Sequence, residues 1–132
     1  MATAEMVYRA ALALMDEPES YELYRERALA VINLLCGEAA LRFGAASKEG
    51  ERPAAREALS MEDALEVEET AARVILPYGL AAHLLCETSP ATAGFYQQRY
   101  EELLRRAADA YPRRAEAIED VYGGAGEDAP WR

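Results

Sequence analysis

The residues best suited to chemistry in this chain are carboxylates crowded into one short stretch: Glu62, Asp63, Glu66, Glu68 and Glu69. Acids carried on facing helices hold Mg²⁺ through their oxygens, and Glu66 and Glu69 have the i, i+3 spacing that sets two side chains on one helical face. A magnesium site of that kind also needs a second acidic run and a partner acid on the next helix. Here the run is not doubled, and the following "PYGLAAHLLCE" brings no acid at the corresponding place. The cluster therefore reads as a solvated acidic face.

Other chemistries have less to stand on. His83 is the single histidine and sits among alanines and leucines, so neither a Ser/His/Asp arrangement nor a zinc site with a second imidazole is arguable. Cys36 and Cys86 both fall in apolar, helix-patterned surroundings, which predicts two buried thiols in a reducing compartment and not a disulfide. Gly123, Gly124 and Gly126 lie in an acidic tail with no helix after them, unlike a phosphate loop. The sequence supports no catalytic residues, no metal ligands and no cofactor, and the chain is read as a protein that is not an enzyme.

The elements that would position any site are helical. Thr3 is a plausible N-cap for a helix to about Met15, with Met6, Val7, Ala10, Ala11 and Leu14 on its inner face. "DEPES" interrupts the pattern, and a long helix from about Glu19 to Phe43 follows. Its stripe is Tyr21, Tyr24, Ala28, Ile32, Leu35, Ala39 and Phe43, widened by Leu29, Cys36 and Ala40. Residues 44–60 lack periodicity and read as a long loop. Ser60 and Asp63 then form a capping-box-like start to a short turn of helix near 61–66.

From Glu68 a helical pattern runs through "ETAARVILPYGLAAHLL" with Pro77 and Gly79 at its centre. A proline inside a helix costs about 3 kcal/mol. The pattern is most simply satisfied by a short helix ending near Leu76 and a second with Pro77 in its first turn, where the missing N–H has no partner anyway. A continuous helix kinked at Pro77 is the alternative. In either case Gly79 permits a close helix crossing, with Tyr78 filling the groove beside it. Ser89 and Pro90 open a final long helix with Tyr96, Tyr100, Leu103, Leu104, Ala107 and Tyr111 on one face. The fold class is all-α, a small bundle of four to five helices with a long loop and a flexible C-terminal tail: residues 1–111 form the helical domain and 112–132 the tail.

Composition limits the classes of function. The chain has 132 residues, enough for one domain, and a net charge of −10. Such a charge argues against wrapping nucleic acid, which needs a Lys/Arg-rich face. No apolar run reaches the roughly 18 residues of a membrane span, and "MATAEMVYRAALALM" has no basic segment or cleavage pattern of a signal peptide. In the tail, Trp131 is the single tryptophan, and Tyr122 lies on a short amphipathic piece before the glycines. Large aromatics on an otherwise acidic tail suit docking anchors.

The order of these pieces is more specific than any one of them. "VYRAALALM", then "RERALAVINLLCGEAAL", a polar loop, "ALSMEDALEVEETAARVILPYGLAAHLL" and "FYQQRYEELLRRA" together resemble the small helical head–tail connector (adaptor, head-completion) proteins of tailed phages and prophages. The resemblance rests on Leu59 to Asp63, on Leu76-Pro77-Tyr78-Gly79-Leu80-Ala81 and on Tyr96 to Leu103, and covers roughly residues 5–110. It implies a structural virion protein, found in the host cytoplasm before assembly and in the virion neck afterwards. It implies a homo-oligomeric ring of about a dozen subunits below the portal protein, closed by heterologous contacts. Such a ring docks further neck or tail proteins and carries DNA only as passing cargo, with no membrane partner. The alternatives are a small cytoplasmic helical dimer that binds a protein, or an all-α Mg-dependent nucleotide pyrophosphatase.

Overall fold

A computed structural model describes residues 1–18, 21–43 and 57–110. They form four α-helices: α1 (Ala4–Leu14), α2 (Arg25–Phe43), α3 (Leu76–Leu85) and α4 (Pro90–Ala110), with a π-helical turn, Ala71–Ile75, leading into α3. The described residues contain no strand, only one antiparallel bridge between Thr3 and Ala64. The fold is all-α. The proposed boundary at 111/112, the tail and most of the 44–60 segment lie outside the described residues.

Helix α1 is bounded at both ends by local chemistry. Thr3 is the N-cap, its hydroxyl accepting from the Met6 N–H at 3.3 Å. The next unpaired donors of the first turn, Ala4 and Glu5, give their N–H groups to the carbonyls of Asp63 and Met61. Residue Asp16 ends the helix with φ 63°, the Glu17 N–H returning to Leu12 O and the Asp16 N–H to Ala13 O. That is the Schellman arrangement, made with an aspartate where glycine is commoner. The buried face is Ala4, Val7, Tyr8, Ala11 and Leu12. It is turned from the expected one: Met6 is exposed and Tyr8 is fully buried. Tyr8 can be buried because its hydroxyl donates to the Tyr21 carbonyl at 2.6 Å.

Helix α3 is the centre of the bundle and packs against α1, α2 and α4. Leu76, Leu80 and Leu84 on it meet Leu12 and Val7 of α1 and Ile32 and Leu35 of α2 in one continuous core. The backbone does not break at Pro77. Thr70, Ile75 and Leu76 keep right-handed helical dihedrals, and the Leu76 N–H bonds back five residues to Ala71 O. Widening the ladder just before the proline accommodates a residue with no N–H to give. Pro77 thus takes the first turn of α3 as expected, while the element before it is a π turn continuous with α3 and not a separate short helix. The run begins at Glu68, whose carboxylate accepts from the Ala71 N–H at 2.9 Å.

Two further departures concern connections. The long second helix begins at Arg25 rather than near Glu19, with turns at 23–24 preceding it. The last residues of the expected loop are fixed: Asn33 of α2 accepts from the Ala58 N–H at 2.8 Å and donates to the Ala58 carbonyl at 3.0 Å. An amide side chain offers the same donor and acceptor pair as a backbone unit, so Asn33 holds this segment as a neighbouring strand would.

Glu5 joins α1 to the start of α2. Its carboxylate takes two parallel bonds from the Arg25 guanidinium, at 2.6 and 2.9 Å, and a third from Arg9 at 3.1 Å. Arg25 also lies over the Tyr8 ring, 5.1 Å from its centroid. The bond from Arg25 holds the Glu5 carboxyl below its usual 4.5. A carboxyl lowered by folding stabilises the native state above its unfolded value, and the gain is lost as pH falls through the folded value. Glu5→Gln is expected to cost about 1–2 kcal/mol near neutrality. In urea titrations at several pH values, that difference should hold above about pH 5 and shrink steadily below it. A difference independent of pH down to about 3 would remove the ion pair from the account.

Candidate functional site

The acidic stretch is used by the backbone. Asp63 accepts from the N–H groups of Leu59 and Ser60, at 2.7 and 3.1 Å, and from the Ser60 hydroxyl at 3.1 Å. Only half of the expected capping box forms, since the Ser60 hydroxyl donates to Asp63 and the Asp63 N–H goes to the Ser60 carbonyl, and it closes a turn at 61–62 and not a helix. Glu68 caps the π turn, and Glu69 pairs with Arg73 at 3.2 Å and with the N-terminal amine at 3.7 Å. Among the described residues no group of three or more His, Cys, Asp or Glu side chains is arranged to hold a metal ion. His83 is exposed, and its carbonyl accepts from Arg27 at 2.9 Å.

The cysteines divide. Cys36 is buried and desolvation pushes its thiol up to about 11, which leaves it a weakly reactive packing residue. Cys86 is exposed, contrary to expectation, because it follows the last residue of α3 and faces outward beside Ala82, His83 and Pro90.

The three helix-packing candidates meet at one crossing. Gly79 is buried where α3 passes between α2 and α4. A Cβ there would lie 2.9 Å from Tyr100 Cδ1 and 3.0 Å from Leu35 Cδ2, closer than side chains tolerate. Tyr100 has little freedom to yield: it is almost fully buried and its hydroxyl donates to Glu38 Oε1 at 2.7 Å. Burial, and then the Glu38 carboxylate, hold the Tyr100 hydroxyl far above its ordinary pKa, so it remains a donor. Tyr78 is half-buried against α4 as well, tilted against Tyr96 with ring centroids 6.2 Å apart and Arg99 over its face at 5.9 Å. Tyr96 in turn donates to Leu14 O at 2.6 Å, tying α4 to the end of α1. Pro77 is buried in the first turn of α3. Tyr122 and Trp131 lie outside the described residues.

Large apolar side chains stay exposed on several elements, Met1, Met6, Leu23, Leu59 and Val74 among them, besides those of α2 and α4. On α2, Leu34 and Leu41 are 67% and 77% exposed, and on α4 Phe95 is 62% exposed. An open groove of about 430 Å³ runs between the second half of α2 and α4, with Tyr100 at its floor and Glu38, Arg42, Gln97, Glu101 and Arg105 along it. These surfaces can bind by packing. The exposed leucines of α2 were missed by the sequence reading, which followed the core stripe; their spacing of seven residues was the available signal. No protein family, no curated protein and no solved structure matches this chain.

Substitutions at the crossing and at the thiols test this description. Gly79→Ala should lower the melting temperature even though alanine gains about 1 kcal/mol in helix propensity, and Gly79→Leu should cost about 1–3 kcal/mol or more. A melt unchanged by both would mean that no close crossing exists. A thiol reagent under native conditions should label Cys86 and leave Cys36 until the chain is unfolded; simultaneous labelling would contradict the packing around Cys36.

Proposed function

We propose that this chain is a head–tail connector (adaptor) subunit of a tailed phage or prophage, working by assembly and not by catalysis. The reading starts from the order of sequence pieces set out above. The observation that carries it further is that apolar side chains stay exposed on separate elements, among them Leu34 and Leu41 on α2 and Phe95 on α4. A closed ring needs such a pair, because one face of each subunit meets a different face of its neighbour. The net charge of −10 fits a channel that lets DNA pass without gripping its phosphates. In this reading the ring extends the channel below the portal in the virion neck, the subunits wait in the host cytoplasm, and Tyr122 and Trp131 are docking anchors on sequence grounds alone.

Purified protein added to isolated portal particles should form rings of about a dozen subunits on the portal, seen by negative stain and weighed by native mass spectrometry. Removing residues 123–132 should leave the melting temperature nearly unchanged and abolish that incorporation. A full-length chain that never joins the portal would overturn the reading, and a truncated chain that still joins would remove the tail anchors from it.

A further inference from the structure

Helix α2 has a second apolar stripe directly opposite its core face. Ala30, Leu34, Gly37 and Leu41 follow one another at spacings of four, three and four residues, the repeat of a helix–helix seam. Ala30, Leu34 and Leu41 are exposed, and around Gly37 nothing lies within 4 Å of the position a Cβ would take. The fold therefore gives no reason for a glycine in the middle of α2, where it is the poorest helix former after proline. Gly79 has such a reason inside the chain. Gly37 needs one outside it.

The order along the stripe is small, large, small, large. Turned about a two-fold axis between residues 35 and 36, the stripe matches itself: Leu34 falls opposite Gly37 of a second copy and Leu41 opposite Ala30. Each bulky side chain then meets a gap, on an isologous surface. We infer that α2 pairs antiparallel with α2 of a second copy through Ala30, Leu34, Gly37 and Leu41.

Size sets the strength of the contact. The 19 residues of α2 span about 28 Å, and a helix with its side chains is 10–12 Å across. The 57–59 segment, held by Asn33, widens this face on one side: Glu57 lines a hollow with Ala30 and Leu34, and Leu59 is 82% exposed. Counted on both copies, the helix face alone comes to about 600–700 Å², below the roughly 1,000 Å² at which stable specific interfaces begin, so the pair is transient. With −10 on each copy, repulsion weakens the pair at low salt and screening strengthens it. The pairing does not rest on the connector reading, since a ring contact is heterologous and this one is two-fold. The connector reading uses the same leucines as a ring face, so in that reading the pair must open before a ring closes.

Sedimentation of the full-length chain over a wide concentration range should give a monomer–dimer equilibrium that tightens with salt. Leu34→Glu should weaken it by tenfold or more, which is about 1.4 kcal/mol, with an unchanged melting curve. Gly37→Leu should also abolish the dimer while preserving or raising the melting temperature. To fix the register, Leu34→Cys and Gly37→Cys chains, both carrying Cys86→Ser, are mixed and oxidised; the mixed pair should cross-link faster than either chain alone. A chain that stays monomeric at its highest concentration, or a dimer indifferent to Leu34→Glu, overturns the inference. So does mixed cross-linking no faster than that of the separate chains.

Discussion

The absence of one carbon atom, the Cβ of residue 79, sets how closely three helices approach. With Tyr100 Cδ1 2.9 Å and Leu35 Cδ2 3.0 Å from that empty position, α3 lies against α2 and α4 at a distance no other residue permits. The rest of the core follows from that closeness. Leu76, Leu80 and Leu84 reach the small and branched side chains of α1 and α2 because α3 is sunk between its neighbours. The Tyr100 hydroxyl, buried by the same approach, finds its only economical partner in Glu38 of the opposite helix.

Pro77 and the acidic stretch belong to the same construction. Helix α3 must enter the bundle centre from a segment that also covers the start of α1, where Met61 and Asp63 accept the N–H groups of Glu5 and Ala4 and Leu65 donates to Ala2. The π turn at 71–75 is where the chain passes from that covering role into the core, and the proline at its end lacks the very N–H that a regular ladder would have used there. Asp63 and Glu68 bind backbone N–H groups at the two ends of this passage. Two of the five clustered carboxylates, Asp63 and Glu68, are thus caps of local backbone rather than part of a solvated face.

How much of this was legible follows from the range of each interaction. Thr3 and Ser60–Asp63 were readable as caps because the groups they bind lie within a few residues. The stripe of α4 through Tyr96, Tyr100, Leu103 and Leu104 was readable because helical spacing alone selects a face. The need for a small residue at Gly79 was legible as a possibility, while its neighbours, 44 and 21 residues away in Leu35 and Tyr100, were not. The inner face of α1 was right at Val7 and Ala11 but took Met6 in place of Tyr8, whose inward turn depends on the Tyr21 carbonyl across a connection. Likewise the end of the 44–60 segment had no internal pattern, since its order comes from Asn33 on another element. The exposure of Cys86 turns on where α3 stops, and helix ends are the least certain boundary in any periodicity reading.

Gly37 and Gly79 show why the candidate surface was harder to read than the fold. Both stand within helices among apolar residues, and local pattern treats them alike. Tertiary structure separates them: one is enclosed by Tyr100 and Leu35, the other opens onto water between two exposed leucines. A core glycine is explained by the chain that contains it. An outward glycine on an apolar stripe weakens its own helix and gains nothing within the monomer. Folding alone would favour alanine at 37 and polar side chains at 34 and 41, because surface leucines add no core packing. The α2 stripe departs from that preference at Leu34, Gly37 and Leu41, which is the pattern left when a helix is shaped by two surfaces at once.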